Sequence, residues 1–332
     1  MRSNTSSSRV SIPARESLGG LRLLSRVIPL AWLLCGGCAH GANASAPLQE
    51  GTLDSGGKTR SFIYRVPGDK GPHPLVIALH GRLGQGRNQE QLSHLAELSA
   101  REGFIVVVPD GVRRSWADAR GVTPASQQGV DDVRFVSDLI DHFVKTAGAD
   151  PARVYVIGMS NGGIMAVTLA CRLSERITAV ASVTGGMPES LGTTCAPSRP
   201  VPIAFFMGDQ DPFMPYAGGA LGEDRGRVLP SREAAARWAA LDGCAAGPAL
   251  EELPDVDPQD GTRVERATWK DCHGGAEVRL YTVKGGGHTW PGGTAYARER
   301  LIGRTSRDLD ASREAWELFS RFTAKPRGSG AP

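Results

Sequence analysis

The chain has 332 residues, of which 40% are hydrophobic and 22% are charged, a composition typical of a globular protein. Its formal net charge is +3. Five arginines and one glutamate give residues 1–38 a charge of +4, which leaves about −1 for the rest of the chain. That remainder shows no basic patch interleaved with aromatic residues, so a nucleic-acid partner is not expected.

Residues 1–38 have the pattern of an export signal. A basic region is followed by the apolar run 27–34, which is far shorter than the ~20 residues of a membrane-spanning helix. The run Leu34-Cys35-Gly36-Gly37-Cys38 is similar to a bacterial lipobox, although Cys35 stands where an aliphatic residue is usual. We therefore predict an extracellular or cell-envelope protein. Two interpretations stay open, namely membrane attachment through a lipid on Cys38 and free secretion.

The cysteines beyond this segment predict two disulfides. There are four of them, Cys171, Cys195, Cys244 and Cys272. An even number in an exported chain indicates disulfide bonds. Pairing by proximity gives Cys171–Cys195 and Cys244–Cys272, but the other two connectivities stay open. None of these four cysteines has the CxxC spacing typical of a zinc site, and we predict no metal.

Residues 39–58 are small and polar and are interpreted as a flexible leader. Apolar runs then alternate with helical patterns. Strands are predicted at 75–79, 104–108, 154–157, 179–183 and 203–207. Helices are predicted at 132–147, with Asp131 or Asp132 as N-cap, and at 161–173 and 309–322. Uniformly apolar strands that alternate with helices predict an α/β fold with a mostly parallel central sheet and helices on both faces.

The C-terminal third departs from this alternation. Val264–Trp269 and Val278–Tyr281 are predicted to pair as an antiparallel ribbon. Residues 325–332 are rich in glycine and proline and are predicted to form a disordered tail. The chain is therefore expected to hold one catalytic domain, at 59–324.

The pattern Gly158-Met159-Ser160-Asn161-Gly162-Gly163 carries the first chemical signal. GxSxG alone is weak in a chain with 42 glycines. Here it follows a predicted strand and opens a predicted helix, the arrangement that a nucleophile elbow needs. A glycine turn with a capping serine is the alternative. We predict that Ser160 is a nucleophile.

A serine hydroxyl needs a base and an acid, which in this arrangement follow in the order Ser, acid, His. Asp209 and Asp211 both follow the strand 203–207, and we favour Asp211 because Asp209 suits a turn. His288 follows three glycines late in the chain, C-terminal to both. The predicted catalytic triad is Ser160, Asp211 and His288.

The end of the strand 75–79 is the expected second half of an oxyanion hole. We predict the backbone N–H groups of Asn161 and of Arg82, or its neighbour Leu83, as the donors. The Arg82 side chain is either solvated or bound to an acidic group of a substrate. His80, Trp116 and Trp290 are candidates for lining the substrate site, although both tryptophans suit loop packing equally well.

Further motifs occur in a fixed order along the chain. They are Leu79-His80-Gly81, Val108-Pro109-Asp110-Gly111, Ser115-Trp116, Val130-Asp131-Asp132-Val133, Arg153-Val154-Tyr155, Asp211-Pro212, Pro215-Tyr216 and Gly287-His288-Thr289-Trp290-Pro291-Gly292. With the serine motif they make residues 58–295 resemble the polyhydroxybutyrate depolymerase/feruloyl esterase family of α/β-hydrolases.

The resemblance implies a secreted carboxylic ester hydrolase that acts on a small-molecule or polymeric ester without a cofactor. It places the triad on Ser160, Asp211 and His288. Arg82-Leu83 and Ala117-Asp118 depart from the family pattern, on loops expected to border the acyl site. The alternatives are a serine peptidase of the same fold and a catalytically inactive envelope-binding protein. The sequence predicts no oligomeric state.

Overall fold

The computed structural model describes residues 47–324, which hold twelve strands and nine α-helices. The strands are β1 (Gln49–Ser55), β2 (Lys58–Arg65), β3 (His73–Leu79), β4 (Ile105–Pro109), β5 (Ala149–Met159), β6 (Ala179–Val183), β7 (Ile203–Gly208), β8 (Gly219–Ala220), β9 (Arg227–Val228), β10 (Ala249–Glu252), β11 (Arg263–Trp269) and β12 (Val278–Lys284). The helices are α1 (Gly86–Ser93), α2 (Leu95–Glu102), α3 (Pro124–Gln127), α4 (Asp132–Ala147), α5 (Asn161–Arg172), α6 (Glu189–Thr194), α7 (Ser231–Leu241), α8 (Glu299–Ile302) and α9 (Ala311–Phe319).

Ten of the strands form one mixed sheet in the order β1-β2-β4-β3-β5-β6-β7-β12-β11-β10. The six strands from β4 to β12 in this order are parallel, and antiparallel pairs flank them at both edges. The mostly parallel α/β fold predicted from the sequence is confirmed, as is the antiparallel ribbon of β11 with β12.

Apolar side chains fill both faces of the sheet. Successive residues of a strand point to opposite faces, so Leu75 and Ile77 contact one core and Val76 and Ala78 contact the other. Helices α4 and α5 cover the first face, and α1, α2 and α9 cover the second. Burial on both faces explains why the central strands are apolar throughout.

The predicted long helices are present with small shifts at their ends. Helix α4 spans the predicted 132–147, and the Asp131 side chain accepts a hydrogen bond from Arg134 N at 2.9 Å as its N-cap. Helix α5 ends at Arg172, one residue earlier than predicted. Helix α9 covers the middle of the predicted 309–322. Beyond α9 the chain returns to β5, because Ala324 N donates to Ala152 O at 2.7 Å.

Both disulfides predicted by proximity are formed. Cys171–Cys195 joins the last turn of α5 to the end of α6. Cys244–Cys272 joins the segment after α7 to the turn after β11. The bonded cysteines are 24 residues apart in the first disulfide and 28 in the second. A disulfide that closes a loop of this size contributes about 3 kcal/mol to the free energy of unfolding.

The flexible leader predicted at 39–58 is wrong over its second half. Residues 49–55 form β1, which pairs antiparallel with β2 across a turn at Gly56 and Gly57, both with positive φ. Such a two-residue turn with both φ values positive matches the twist of a hairpin. The sequence did not predict this strand, because it lies at the sheet edge and is largely exposed. Leu53 is its single large apolar residue, so the strand lacks an apolar pattern.

Several predictions fall on residues outside the described range. These are the signal at 1–38 with Cys38, the first part of the leader and the tail at 325–332. Within 47–324, no helix has the length and apolarity required to cross a bilayer.

Asp242 is a buried carboxyl at the end of α7. One of its oxygens, Oδ1, accepts from Val201 N at 3.0 Å, and Oδ2 has no hydrogen-bond partner. Burial raises the pKa of Asp242 to about 7, because the charged form loses its hydration. The folded protein therefore keeps a proton here that the unfolded chain releases near its ordinary pKa of 3.8.

We predict that Asp242→Asn stabilises the protein more at pH 8 than at pH 5. A carboxyl whose pKa is raised on folding costs stability progressively as pH rises from its unfolded to its folded pKa. Asparagine keeps an acceptor for Val201 N and removes this titration. In urea unfolding, the stability gap between variant and wild type should grow by about 2 kcal/mol from pH 5 to pH 8. A gap independent of pH would contradict the prediction.

Candidate active site

Ser160 occupies the sharp turn between β5 and α5. Its backbone has φ 53° and ψ −117°, a strained conformation for a residue with a side chain. A Cβ on Gly158 would lie 2.9 Å from Gly163 N, and one on Gly162 would lie 2.6 Å from His80 O. The turn therefore excludes bulk at both glycines that flank Ser160, as the strand–turn–helix prediction required.

His288 and Asp211 form a buried hydrogen-bonded pair. His288 Nδ1 lies 2.7 Å from Asp211 Oδ2, and both side chains are almost fully buried. The other carboxylate oxygen, Oδ1, accepts from Phe213 N at 2.7 Å and Met214 N at 2.8 Å. These bonds fix the carboxylate, so His288 Nδ1–H is the donor and Nε2 is left as the acceptor.

Asp209, the competing acid, has a different role. Its Oδ1 accepts from Gly285 N at 2.7 Å, which ties the end of β7 to the loop that carries His288. The same loop is held again by Gln210 N, which donates to Gly286 O at 3.0 Å, and by His288 N, which donates to Ile302 O at 2.6 Å. The histidine is therefore carried on a loop with a fixed backbone.

Ser160 and His288 line the same two cavities. The first cavity measures about 370 Å³ and the second about 390 Å³, and Arg82, Leu83 and Tyr296 also line both. Among the described residues no hydrogen bond joins the Ser160 hydroxyl to the His288 ring. Such catalytic hydrogen bonds are often long in a ligand-free protein and shorten when substrate binds.

Two backbone N–H groups beside Ser160 have no acceptor in the described part of the chain. They belong to Asn161, the first residue of α5, and to Arg82 in the loop after β3. Leu83 N donates to Arg114 O at 2.8 Å, so the alternative donor Leu83 is wrong. A Cβ on Gly81 would lie 3.4 Å from Ser160 Cβ, which brings the Arg82 loop alongside the serine.

The Asn161 side chain joins the serine turn to the loop after β4. Its Oδ1 accepts from Trp116 N at 2.8 Å, and its Nδ2 donates to Trp116 O at 3.1 Å and to Asp118 Oδ2 at 2.7 Å. From the sequence alone, Asp118 is only a departure from the family pattern. The structure gives it a function in positioning, because it also binds Arg120 through paired hydrogen bonds.

The predicted lining by Trp116 and Trp290 is wrong, because both side chains are at most 1% exposed and neither reaches a cavity. Trp116 Nε1 donates to His80 O at 2.8 Å, and Trp290 Nε1 donates to Ser312 Oγ at 3.1 Å. Both tryptophans pack loops, the alternative considered from the sequence. Their amphipathic rings are buried because each indole N–H has an acceptor there.

His80 lies in the wall of the second cavity, but its ring serves the protein backbone. Nδ1 contacts Gly81 O at 2.7 Å, and Nε2 accepts from Gly111 N at 2.9 Å. Burial lowers the pKa of His80, because the charged ring would lose its hydration. A neutral His80 therefore positions the strand end that carries Arg82.

Two exposed aromatic side chains at the cavity rim, Phe213 and Tyr296, were not predicted from the sequence, and they lie there with Leu83, whose loop was expected to border the acyl site. Leu83 is 65% exposed, Phe213 47% and Tyr296 51%, and all three line the first cavity. Phe213 packs edge-on against the His288 ring at 5.3 Å, and Tyr296 Oη donates to His288 O at 3.0 Å. Single apolar residues in polar loops have no periodicity, so no pattern in the sequence marked them.

Within residues 47–324, no cluster of three or more His, Cys, Asp and Glu side chains has the arrangement of a metal site. The expectation of a metal-free site stays a prediction.

Comparisons with known proteins give a consistent picture. The sequence profile of the dienelactone hydrolase family matches residues 62–221. The protein NocK of Nocardia uniformis subsp. tsuyamanensis, which is named an esterase, is 32% identical over 275 residues that cover 79% of this chain and 80% of NocK. Feruloyl esterase B of Piromyces equi is 32% identical over 69% of this chain, which spans only 42% of that enzyme.

A solved structure agrees with the observed fold. The acetyl xylan esterase from Aspergillus awamori aligns with 83% of this chain and 99% of its own, with a TM-score of 0.57 at 18% identity. At this identity the alignment shows a shared fold and leaves activity to other observations.

We predict that Gly162→Ala lowers both stability and any activity of this site. The added Cβ would meet the carbonyl oxygens of Leu79 and His80, so the serine turn must move away from β3. Such overpacking costs about 1–3 kcal/mol. Gly247→Ala is the matched control, because a Cβ there meets nothing within 4 Å. Equal melting temperatures and turnover in the two variants would contradict the close contact.

Proposed function

We propose that this carboxylic ester hydrolase of the feruloyl esterase family, an α/β-hydrolase, is exported and uses Ser160, His288 and Asp211 in a two-step acyl transfer. The mechanism rests on the buried hydrogen bond between His288 and Asp211, because the His288 ring lines the same two cavities as Ser160, a serine on a strained turn. Two N–H groups without acceptors beside that serine support the same mechanism.

In the first step, Ser160 Oγ attacks the ester carbonyl carbon while His288 Nε2 takes the hydroxyl proton. Asp211 accepts from Nδ1–H, holds the ring in this tautomer and stabilises the imidazolium. The N–H groups of Asn161 and Arg82 bind the oxyanion, a contribution of about 3–4 kcal/mol per donor. His288 returns the proton to the leaving alcohol, and an acyl-enzyme remains.

In the second step, water attacks the acyl carbon and His288 takes a proton from it. Collapse of the second tetrahedral intermediate returns this proton to Ser160 Oγ and releases the acid. The strained conformation at Ser160 suits this role, because it keeps the hydroxyl at the start of α5, where the positive end of the helix favours the developing negative charge.

We propose that the substrate is a feruloyl or acetyl ester of a plant polysaccharide or a polyhydroxybutyrate-type polyester. The names of sequence relatives support the first two, and the family resemblance supports the third. The exposed rim of Leu83, Phe213 and Tyr296 is apolar and partly aromatic, which suits either an aryl group or a polyester chain.

Ser160→Ala is expected to lower kcat by about 10⁴-fold or more, because the nucleophile is lost while the oxyanion donors remain. The assay is a hydrolysis panel of short nitrophenyl esters, methyl ferulate, acetylated xylan and amorphous polyhydroxybutyrate. A fluorophosphonate probe should label the wild-type protein and leave the variant unlabelled. Unlabelled wild-type protein would instead favour an inactive envelope-binding protein, and unchanged turnover in the variant would reject Ser160 as the nucleophile.

Export is proposed from the signal pattern at 1–38, and the two disulfides support an oxidising compartment. We expect the protein recovered from an expressing bacterium to lack that segment. Mass spectrometry of the mature N-terminus separates the two open options, since a lipidated form begins at Cys38 with added diacylglyceryl mass. An intact Met1 on active protein in the cytosolic fraction would contradict export.

A further inference from the structure

The side chains that line the two cavities include positively charged groups but no carboxylate. Four arginines line them, namely Arg82 and Arg114 in the second cavity and Arg82, Arg120 and Arg225 in the first. No aspartate or glutamate lines either cavity. The chain beyond residue 38 carries about −1 in total, so this local excess of positive charge is not a property of the whole surface.

We propose that the ester substrate carries a carboxylate, which the guanidinium groups of Arg225 and Arg82 bind at the mouth of the first cavity. This inference rests on the proposed function and narrows the substrate of the same site to an ester with a free carboxylate, such as an oligomer of the polyhydroxybutyrate type. It gives a role to Arg82, one of the residues at which the chain departs from the family pattern.

Arg120 is already neutralised within the protein. Its Nε and Nη2 bind Asp118 at 3.0 Å and 2.6 Å, with both side chains buried. Its remaining Nη1 donates to Arg225 O at 3.0 Å. The Arg120 side chain therefore positions the backbone of Arg225 beside the cavity. Its own positive charge is balanced by the carboxylate of Asp118.

Arg82 and Arg225 differ from Arg120, because no carboxylate of the described residues lies within ion-pair distance of either side chain. Both are exposed at the rim. Glu223 and Asp224 precede Arg225 in the same exposed loop, but neither lines the cavity. Two guanidinium groups without a carboxylate partner beside a catalytic serine are suited to bind a substrate carboxylate through paired hydrogen bonds.

The floor of the first cavity is apolar. Ile164, Met214 and Leu221 are buried in it, and Leu83 and Phe213 stand at its mouth. A ligand that suits both features has an apolar chain or ring next to the ester and a carboxylate at its far end. The carboxylate can belong to the acyl part, as in a half-ester of a dicarboxylic acid. It can also belong to the alcohol part, as in an ester of a hydroxy acid.

Two substrate pairs test the proposal and distinguish these sources. For the acyl part, mono-4-nitrophenyl glutarate is compared with its methyl ester. For the alcohol part, butyryl 3-hydroxybutyrate is compared with its methyl ester. In wild type, kcat/KM should be higher for the acid than for the neutral ester of at least one pair. This preference should fall steeply when ionic strength rises from about 0.02 to 0.5 M, since exposed charges are screened.

Arg225→Gln should lower kcat/KM on the preferred acid about 10-fold while the neutral ester changes less than about twofold. Arg225→Lys should retain part of the preference for the acid, because lysine keeps the positive charge but lacks the planar guanidinium that donates paired hydrogen bonds. The matched control is Arg101→Gln, an exposed arginine of α2 that lines neither cavity. Hydrolysis of the neutral ester at a normal rate reports that the Arg225 variant is folded.

The outcomes separate the two proposals. Hydrolysis of neutral esters with no preference for either acid, or equal effects of Arg225→Gln and Arg101→Gln, would overturn the carboxylate site and leave the proposed function standing. Hydrolysis of the panel esters above but of none of these four would overturn the carboxylate site alone, and hydrolysis of no ester in either set would overturn both.

Discussion

The approach of the Gly162 backbone to the carboxyl end of β3 sets the dimensions of the site. The carbonyl oxygens of Leu79 and His80 lie so close to Gly162 that any side chain there would collide with them. This contact brings the start of α5 and the loop after β3 together at one edge of the sheet. The two N–H groups proposed for the oxyanion, on Asn161 and Arg82, come from these two segments and flank Ser160 only while the contact holds.

Buried polar groups then hold the surrounding loops to this edge. The Asn161 side chain forms hydrogen bonds with the backbone of Trp116 and with the carboxylate of Asp118. The indole N–H of Trp116 donates to His80 O. Asp132, at the start of α4, binds both Arg60 at 2.8 Å and Ala117 N at 2.7 Å. Each of these buried polar groups has a hydrogen-bond partner, because an unpartnered polar group is costly in low-dielectric surroundings. The completed network makes the loops rigid.

The sequence predicted what depends on repeated patterns and chain order. The central strands are apolar because both faces are covered, and the pair His288 and Asp211 could be inferred from its order after Ser160. It did not predict β1, an exposed edge strand whose pairing depends on its neighbour. Nor did it predict that Trp116 is buried while Phe213 is exposed, because the burial of a lone aromatic residue in a loop depends on how several loops fold together.

The last described residues form hydrogen bonds with β5, toward the end of the strand opposite Ser160. Ala324 N donates to Ala152 O, and the Tyr155 hydroxyl donates to Phe322 O at 2.7 Å. Ser160 lies eight residue steps beyond Ala152 along the extended strand β5, a distance of roughly 25 Å. A support or fusion partner joined directly after Ala324 would thus be attached at the end of β5 opposite Ser160, and the cavities that Ser160 lines would face outward toward a large or insoluble ester.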